Sequence, residues 1–267
     1  MQRYIRYKKG VIALYPKRNF GALGKVAVVG GAPTVSDFHR WMHPEIAIAS
    51  APMPLNQLTP QGLEKMGERL SDVFQLFKTY DPCDLAFFSC TSGSLIGGRG
   101  YDEKICRLCR DASGSREAYT TTTAVLHALK SLNAKKISIV TPYPDDVNQA
   151  EKVFFEDNGY IVRNIEGIAT EDPRNPKLIS QIPPEIIYEF AMTHMDAQAD
   201  ALFLSCTGLM VLELIAELEN RLCVPVITSN QAAIWMMGQF FGAHSDHAKQ
   251  KLGVLLKTSC AGRGRRP

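Results

Sequence analysis

Asp84-Leu-Ala-Phe-Phe-Ser-Cys90-Thr91 and Asp200-Ala-Leu-Phe-Leu-Ser-Cys206-Thr207 share Asp, Phe, Ser, Cys and Thr in the same register. Each copy is a short apolar run, bounded by polar residues, that ends in Ser-Cys-Thr. Such a run reads as a buried strand. Small residues follow (Ser92, Gly93 and Ser94 in one copy, Gly208 in the other), and then a helix-compatible segment. The repetition implies two similar α/β halves. In open parallel sheets the carboxyl end of a strand is where ligands bind, so both Ser-Cys-Thr turns are placed for function.

Working outward, short apolar runs alternate with helix-period segments along the chain, the pattern of strand, crossover helix and parallel strand. Strands are expected at Val26–Val29, Ile46–Ala51, Leu85–Cys90, Ile137–Thr141, Leu202–Cys206 and Val224–Thr228, with Val11–Leu14 a further candidate. A helix is expected from Thr59 as N-cap and Pro60 at its first position, with Leu63, Met66, Leu70, Val73, Phe74 and Phe77 on its core face. Further helices are expected at Tyr101–Asp111, Thr122–Leu132, Asp146–Asn158, Pro184–Met195, Leu209–Asn220 and Ala232–Phe241. Gly10–Gly31 reads as irregular, and Gly262–Pro267 as a loose tail.

The chain has 267 residues, 45% hydrophobic and 21% charged, which excludes disordered and fibrous classes. Its net charge is +3, but Arg3, Arg6, Lys8, Lys9, Arg263, Arg265 and Arg266 sit at the ends and leave a mildly acidic body. No nucleic-acid partner and no membrane surface is implied. The longest stretch without a formal charge, Leu222–Ser245, holds Pro225, Asn230 and Gln231 and reads as strand, polar loop and helix rather than a span. The opening MQRYIRYKKG lacks an apolar core and a cleavage site, so a cytoplasmic location is expected. Seven cysteines, an odd number, then favour free thiols over a disulfide framework.

A thiol acts as nucleophile or base only as thiolate, and a free cysteine is only about a few per cent ionised at neutral pH. A strand-to-helix turn offers backbone N–H groups and the positive end of a helix dipole, which stabilise a thiolate or a substrate carboxylate. Two such turns related by an approximate two-fold would face each other across a cleft, one thiol on each side of a small anion. That suits moving a proton from one face of a carbon to the other. A lone strand-end cysteine is usually core filler, but a duplicated Ser-Cys-Thr followed by small polar residues is not what a core requires. Cys106 and Cys109 lie in a helical pattern with no second pair at zinc spacing and read as structural, as do Cys83, Cys223 and Cys260. His39, His43, His127, His194, His244 and His247 complete no metal motif and read as solvated helix faces, so no metal is expected. Gly97-Gly98-Arg99-Gly100 and Gly30-Gly31 are not nucleotide loops, which implies a cofactor-free reaction. Asp145 and Asp146 read as a helix N-cap pair.

Taken together, Ser89-Cys90-Thr91-Ser92-Gly93-Ser94, the run Thr120–Thr123 with Ala124-Val125, Thr141-Pro142-Tyr143-Pro144-Asp145-Asp146-Val147-Asn148, Ser205-Cys206-Thr207 and Ser229-Asn230-Gln231-Ala232 resemble the aspartate/glutamate racemase superfamily. The resemblance covers about residues 24 to 242 and is nearest to the maleate cis-trans isomerases, with arylmalonate decarboxylases related. It implies two Rossmann-like lobes with parallel sheets related by pseudo-two-fold symmetry and an active site between them, residues 1–118 plus 229–267 forming one lobe and 119–228 the other. It also implies a homo-oligomer, no cofactor and a small carboxylate substrate. Cys90 would add to the double bond of maleate and Cys206 would protonate the intermediate. In racemases of the superfamily the paired thiols instead remove and return an α-proton. Tyr143 would contact a substrate carboxylate, with Thr91, Ser92, Thr207 and Gly208. Arylmalonate decarboxylases keep only the second cysteine, so Cys90 argues against that activity. Where maleate isomerases carry an asparagine after the first strand, this chain has Val29-Gly30-Gly31-Ala32-Pro33, which makes Gly31 the candidate contact there. Pro16-Lys17-Arg18-Asn19 would be a displaced version of that loop if Val11–Leu14 were the first strand, and Glu171-Asp172-Pro173 also lacks an asparagine.

Overall fold

The computed structural model describes residues 21–52 and 55–258 in full and 4–7 and 10–13 as backbone. In chain order the elements are strands β1 (Tyr4–Tyr7), β2 (Gly10–Ala13) and β3 (Gly24–Gly30), helix α1 (Ala32–Trp41), β4 (Ile46–Ala51), α2 (Pro60–Glu68), α3 (Leu70–Tyr80), β5 (Leu85–Ser89), α4 (Thr91–Leu95), α5 (Tyr101–Ser113), β6 (Glu117–Thr120) and α6 (Thr121–Ser131). They continue with β7 (Lys136–Thr141), α7 (Asp145–Asp157), β8 (Ile161–Gly167), a 3-10 helix (Pro176–Gln181), α8 (Pro184–His194), β9 (Ala201–Leu204), a 3-10 turn (Leu212–Leu214), α9 (Ile215–Leu222), β10 (Val226–Thr228), α10 (Ser229–Phe241) and α11 (Asp246–Lys251), with a last 3-10 turn at Leu255–Lys257.

Two four-stranded parallel sheets form the core, in the orders β4-β3-β5-β6 and β8-β7-β9-β10. Both read second, first, third, fourth by order along the chain, so the repeat seen in sequence is a repeat of topology. The lobes are α/β and similarly wound, as expected. Their central strands are continuous apolar runs, with Val26–Val29, Leu85–Phe88 and Leu202–Leu204 fully buried, because helices cover both faces of a parallel sheet. Glu117–Thr120 straddles the expected lobe division at 118/119 and pairs with β5 in the first sheet.

The returning helix α10 ties the lobes. Ser229 through Gly238 are all buried, and the helix packs against α6 and α1. A helix buried on every side has no solvent face to present. The capping box of Thr228 and Gln231 starts it directly after β10, so the polar Ser229-Asn230-Gln231 is the first helical turn and not the expected loop.

Other differences have local causes. Thr59 caps α2 as expected, its Oγ1 accepting from the Gly62 N–H at 3.0 Å, but the chain bends at Arg69 (φ −92°, ψ −4°) and divides the long apolar stripe into α2 and α3. The helix expected at Leu209–Asn220 begins only at Ile215, after a 3-10 turn. Strands β6 and β8 and helix α1 were not anticipated. β8 is an edge strand whose Arg163, Asn164 and Glu166 break the apolar pattern, and β6 has only four residues. In α1 the apolar stripe is Phe38 and Trp41 alone, though Pro33 sits in its first turn. Within the segment read as irregular, β2 pairs antiparallel with β1, while β3 is the first strand of the parallel sheet. Gly31 therefore lies directly after that first strand. Residues 16–19 and 262–267 and Cys260 lie outside the described residues.

Candidate active site

Each lobe brings two loops to the same place. Gly31 follows β3 and Cys90 follows β5, while Tyr143 follows β7 and Cys206 follows β9. These are the first and third strands of each lobe, neighbours where the winding direction reverses, and the crevice beyond their carboxyl ends is the general ligand position of such sheets. A cavity of about 300 Å³ lies there. Gly31, Cys90, Thr91, Ser92, Tyr143, Cys206, Thr207 and Gly208 all line it, so the structure brings together the residues read as catalytic or substrate-binding.

The two turns are joined across the lobes. The Thr91 Oγ1 and Ser229 Oγ are 2.8 Å apart, and Ser229 Oγ accepts from the Cys206 N–H at 3.0 Å. Thr34 Oγ1 donates to the Thr207 carbonyl (3.2 Å) and Thr207 Oγ1 to the Ser89 carbonyl (3.4 Å). The two threonine hydroxyls thus hold the walls together. Asn230 Nδ2 donates both to Asp37 Oδ2 (2.7 Å) and to the Thr207 carbonyl (3.1 Å). Burial pushes Asp37 up to about 6, opposed by that Asn230 hydrogen bond.

The cysteines have different settings. Cys90 is the N-cap of α4 with ordinary extended backbone (φ −151°), and its Sγ accepts from the Gly93 N–H at 3.4 Å. A side chain on residue 93 would overlap Met66 Cε and stand 3.0 Å from that sulfur, which is why glycine serves there. Burial raises the Cys90 pKa, and the Gly93 amide and Ser92 hydroxyl pull it back. Cys206 has φ +128°, a region L-residues rarely occupy. Burial pushes it up to about 12, against the Tyr143 hydroxyl and the Gly208 N–H (3.3 Å) that favour its thiolate. Cys206 is therefore a firm proton holder. Tyr143 is 4% exposed and its loop is fixed by α7: Tyr143 N–H donates to Thr141 Oγ1 (3.0 Å) and Asn148 Nδ2 to the Tyr143 carbonyl (3.0 Å). Its own pKa is raised well above the usual phenol value, first by burial.

Several neighbours of the site were not read from sequence. Leu55, Leu58, Met66, Phe88 and Ile179 form an apolar flank of the cavity, and Lys177 and Ser180 reach it from the 3-10 helix of the β8–α8 connection. That proline-bounded segment has no periodicity to reveal it. Glu151 on α7 is fully buried, and burial pushes its pKa up to about 8, with the Ser205 hydroxyl opposing. It shares the buried stripe of α7 with Val147, Asn148, Phe154 and Phe155, which the folded helix reveals.

The remaining candidates lie elsewhere. Cys106 and Cys109 sit on α5, Cys106 Sγ being 3.4 Å from Thr123 Oγ1 and raised to about 11 chiefly by burial. Asp145 and Asp146 occupy the first turn of α7 while Pro144 is its N-cap, so they complement the helix dipole without capping it. His43 falls beyond the end of α1, and His244 is half-buried in the loop before α11, lowered to about 4 first by burial. For these two, loop position replaces the solvated helix face expected. No helix among the described residues is long and apolar enough to cross a membrane.

A model of the arylmalonate decarboxylase family matches residues 28–255. The chain is 24% identical over 196 residues to an arylmalonate decarboxylase of Bordetella bronchiseptica (73% of this chain, 80% of the relative). It is 25% identical over 191 residues to a maleate isomerase of Geobacillus stearothermophilus (70% and 74%). The fold is shared with a mutant Nocardia farcinica maleate cis-trans isomerase holding a covalently bound succinylcysteine intermediate (TM-score 0.73, 18% identity, 82% of this chain and 93% of the other).

Proposed function

Because the chain belongs to the arylmalonate decarboxylase family, whose curated relatives here are enzymes, we propose that it is a cofactor-independent isomerase of a small carboxylate, with conversion of maleate to fumarate as its reaction. The observation that carries this reading is that Cys90 and Cys206, one from each lobe, line a single cavity.

The step balances without a co-reactant. The Cys90 thiolate forms a C–S bond to one alkene carbon, and the π electrons move onto the neighbouring carbon, where the attached carboxylate delocalises them. The Cys206 S–H protonates that carbon. Rotation about the new single bond, return of the proton to Cys206 and loss of the Cys90 thiolate then give the trans acid. A proton donor held near 12 at rest, beside a phenol that hydrogen-bonds its thiolate, suits this alternation. The thiol–maleate adduct is a succinylcysteine, the species held by the Nocardia relative.

The apolar flank of Leu55, Leu58, Met66, Phe88 and Ile179 favours a second reading, racemisation of an α-substituted acid whose side group fills that flank while the two thiols exchange the α-proton. A panel of small acids followed by ultraviolet absorbance and polarimetry separates the two. Loss of maleate absorbance supports the first and decay of optical rotation the second. Release of carbon dioxide from a malonate would instead assign the decarboxylase activity, and no turnover of any acid would end the isomerase reading.

A further inference from the structure

The β8–α8 connection, residues 168–183, contributes Pro176, Lys177, Ile179 and Ser180 to the cavity wall. It is anchored to the first lobe by two reciprocal contacts: the Leu58 N–H donates to the Arg174 carbonyl (2.8 Å), and Arg174 Nη1 donates to the Leu58 carbonyl (3.0 Å). Arg174 also pairs with Asp146 at the start of α7 (3.1 Å), so its charge is already matched. The next residue, Asn175, caps the 3-10 helix: its Oδ1 accepts from the Lys177 N–H (3.1 Å), and Gln181 Nε2 donates to the Lys177 carbonyl (3.1 Å). The backbone of Lys177 is thereby fixed beside the cavity.

Lys177 is the single charged residue lining the cavity among the described residues, and no described carboxylate lies within ion-pairing distance of its ammonium. The rest of the wall comprises apolar side chains, hydroxyls, the two thiols, a phenol and backbone. A monoanion can be held between the two Ser-Cys-Thr turns. A second anionic group on the same ligand finds no other positive partner.

We infer that Lys177 is the specificity-determining residue for a second carboxylate, so that the cavity selects a dicarboxylate over a monocarboxylate of equal size. This deepens the proposed isomerase reading and rests on it for the substrate class, but it is tested by binding alone. Succinate and butyrate, non-reacting acids of four carbons that differ by one carboxylate, are titrated calorimetrically into the wild-type protein, Lys177→Met and Lys177→Arg. Lys177→Met should weaken succinate about three- to fivefold and leave butyrate essentially unchanged, because an exposed charge pair contributes at this modest level. Lys177→Arg should restore succinate affinity, and the wild-type preference should shrink with added salt. Equal effects on both acids, no effect on either, or a wild-type protein that binds succinate no better than butyrate would overturn the assignment. Failure to turn over maleate, with succinate selection intact, would remove the isomerase reading and leave the Lys177 assignment standing.

Discussion

The two Ser-Cys-Thr turns begin from nearly the same residues and end in different backbone. After β5 the chain enters a helix at once, with Cys90 relaxed at its N-cap. After β9 it does not: Cys206 adopts φ +128°, residues 207–211 run without helix, and α9 begins only at Ile215. The first turn presents a sulfur to an amide that stabilises negative charge. The second holds a sulfur whose burial keeps its proton on, against the Tyr143 hydroxyl and the Gly208 N–H that favour the thiolate. The repeat supplies the residue type, and the backbone that follows gives the two thiols the different settings that the proposed division into nucleophile and acid would use.

The largest expected effect tests that separation. Cys90→Ala and Cys206→Ala should each lower kcat by about a thousandfold or more without loss of fold, since each removes a bond-forming or proton-bearing atom. Circular dichroism and steady-state rates check both. In single-turnover experiments with the favoured acid, Cys206→Ala should still form a Cys90 adduct detectable by mass, whereas Cys90→Ala should form none. Adduct at both positions would erase the difference in roles.

A smaller effect is expected at Glu151. Its folded pKa of about 8 lies above the ordinary glutamate value of 4.5, so between those values the folded state holds a proton that the unfolded state has released. Stability therefore falls as pH rises through that window, by at most about 1.4 kcal/mol per unit. Glu151→Gln should flatten this slope and raise stability at pH 8 relative to wild type, measured by urea unfolding from pH 5 to 9. An unchanged slope would show that the carboxyl is not held neutral.

These two predictions differ in how far the sequence alone leads to them. The cysteines were legible because a repeated Asp, Phe, Ser, Cys and Thr register survives on two buried strands, where both the pattern and the chemistry point the same way. Strand positions at the sheet centres were legible for the same reason. Glu151 was not, because a carboxylate in Asn148-Gln149-Ala150-Glu151-Lys152 looks like ordinary helix surface until its neighbours on the stripe are known to face inward. Lys177 and Leu55 reach the cavity from loops, whose path is set by tertiary contacts such as the Arg174–Leu58 pairing and by no local periodicity.

Tyr143→Phe should reduce kcat/KM by about ten- to a hundredfold while preserving the fold, as one hydrogen bond to a charged group is lost. A larger drop in kcat at Cys206-dependent proton transfer than in adduct formation would place the phenol with the acid and not with the nucleophile. The smallest effect concerns backbone alone. At position 206, glycine should be more stable than alanine by about 1 kcal/mol, since it adopts positive φ without strain, and at position 90 the order should reverse. Thermal unfolding of the four single variants decides it. The same order at both positions would mean that the two turns are energetically alike.

Ser229 makes the two thiol turns mechanically interdependent. One hydroxyl touches both Thr91 and the Cys206 amide, so a shift of either turn is felt by the other, and Ser229→Ala should disturb the setting of both sulfurs although it removes neither.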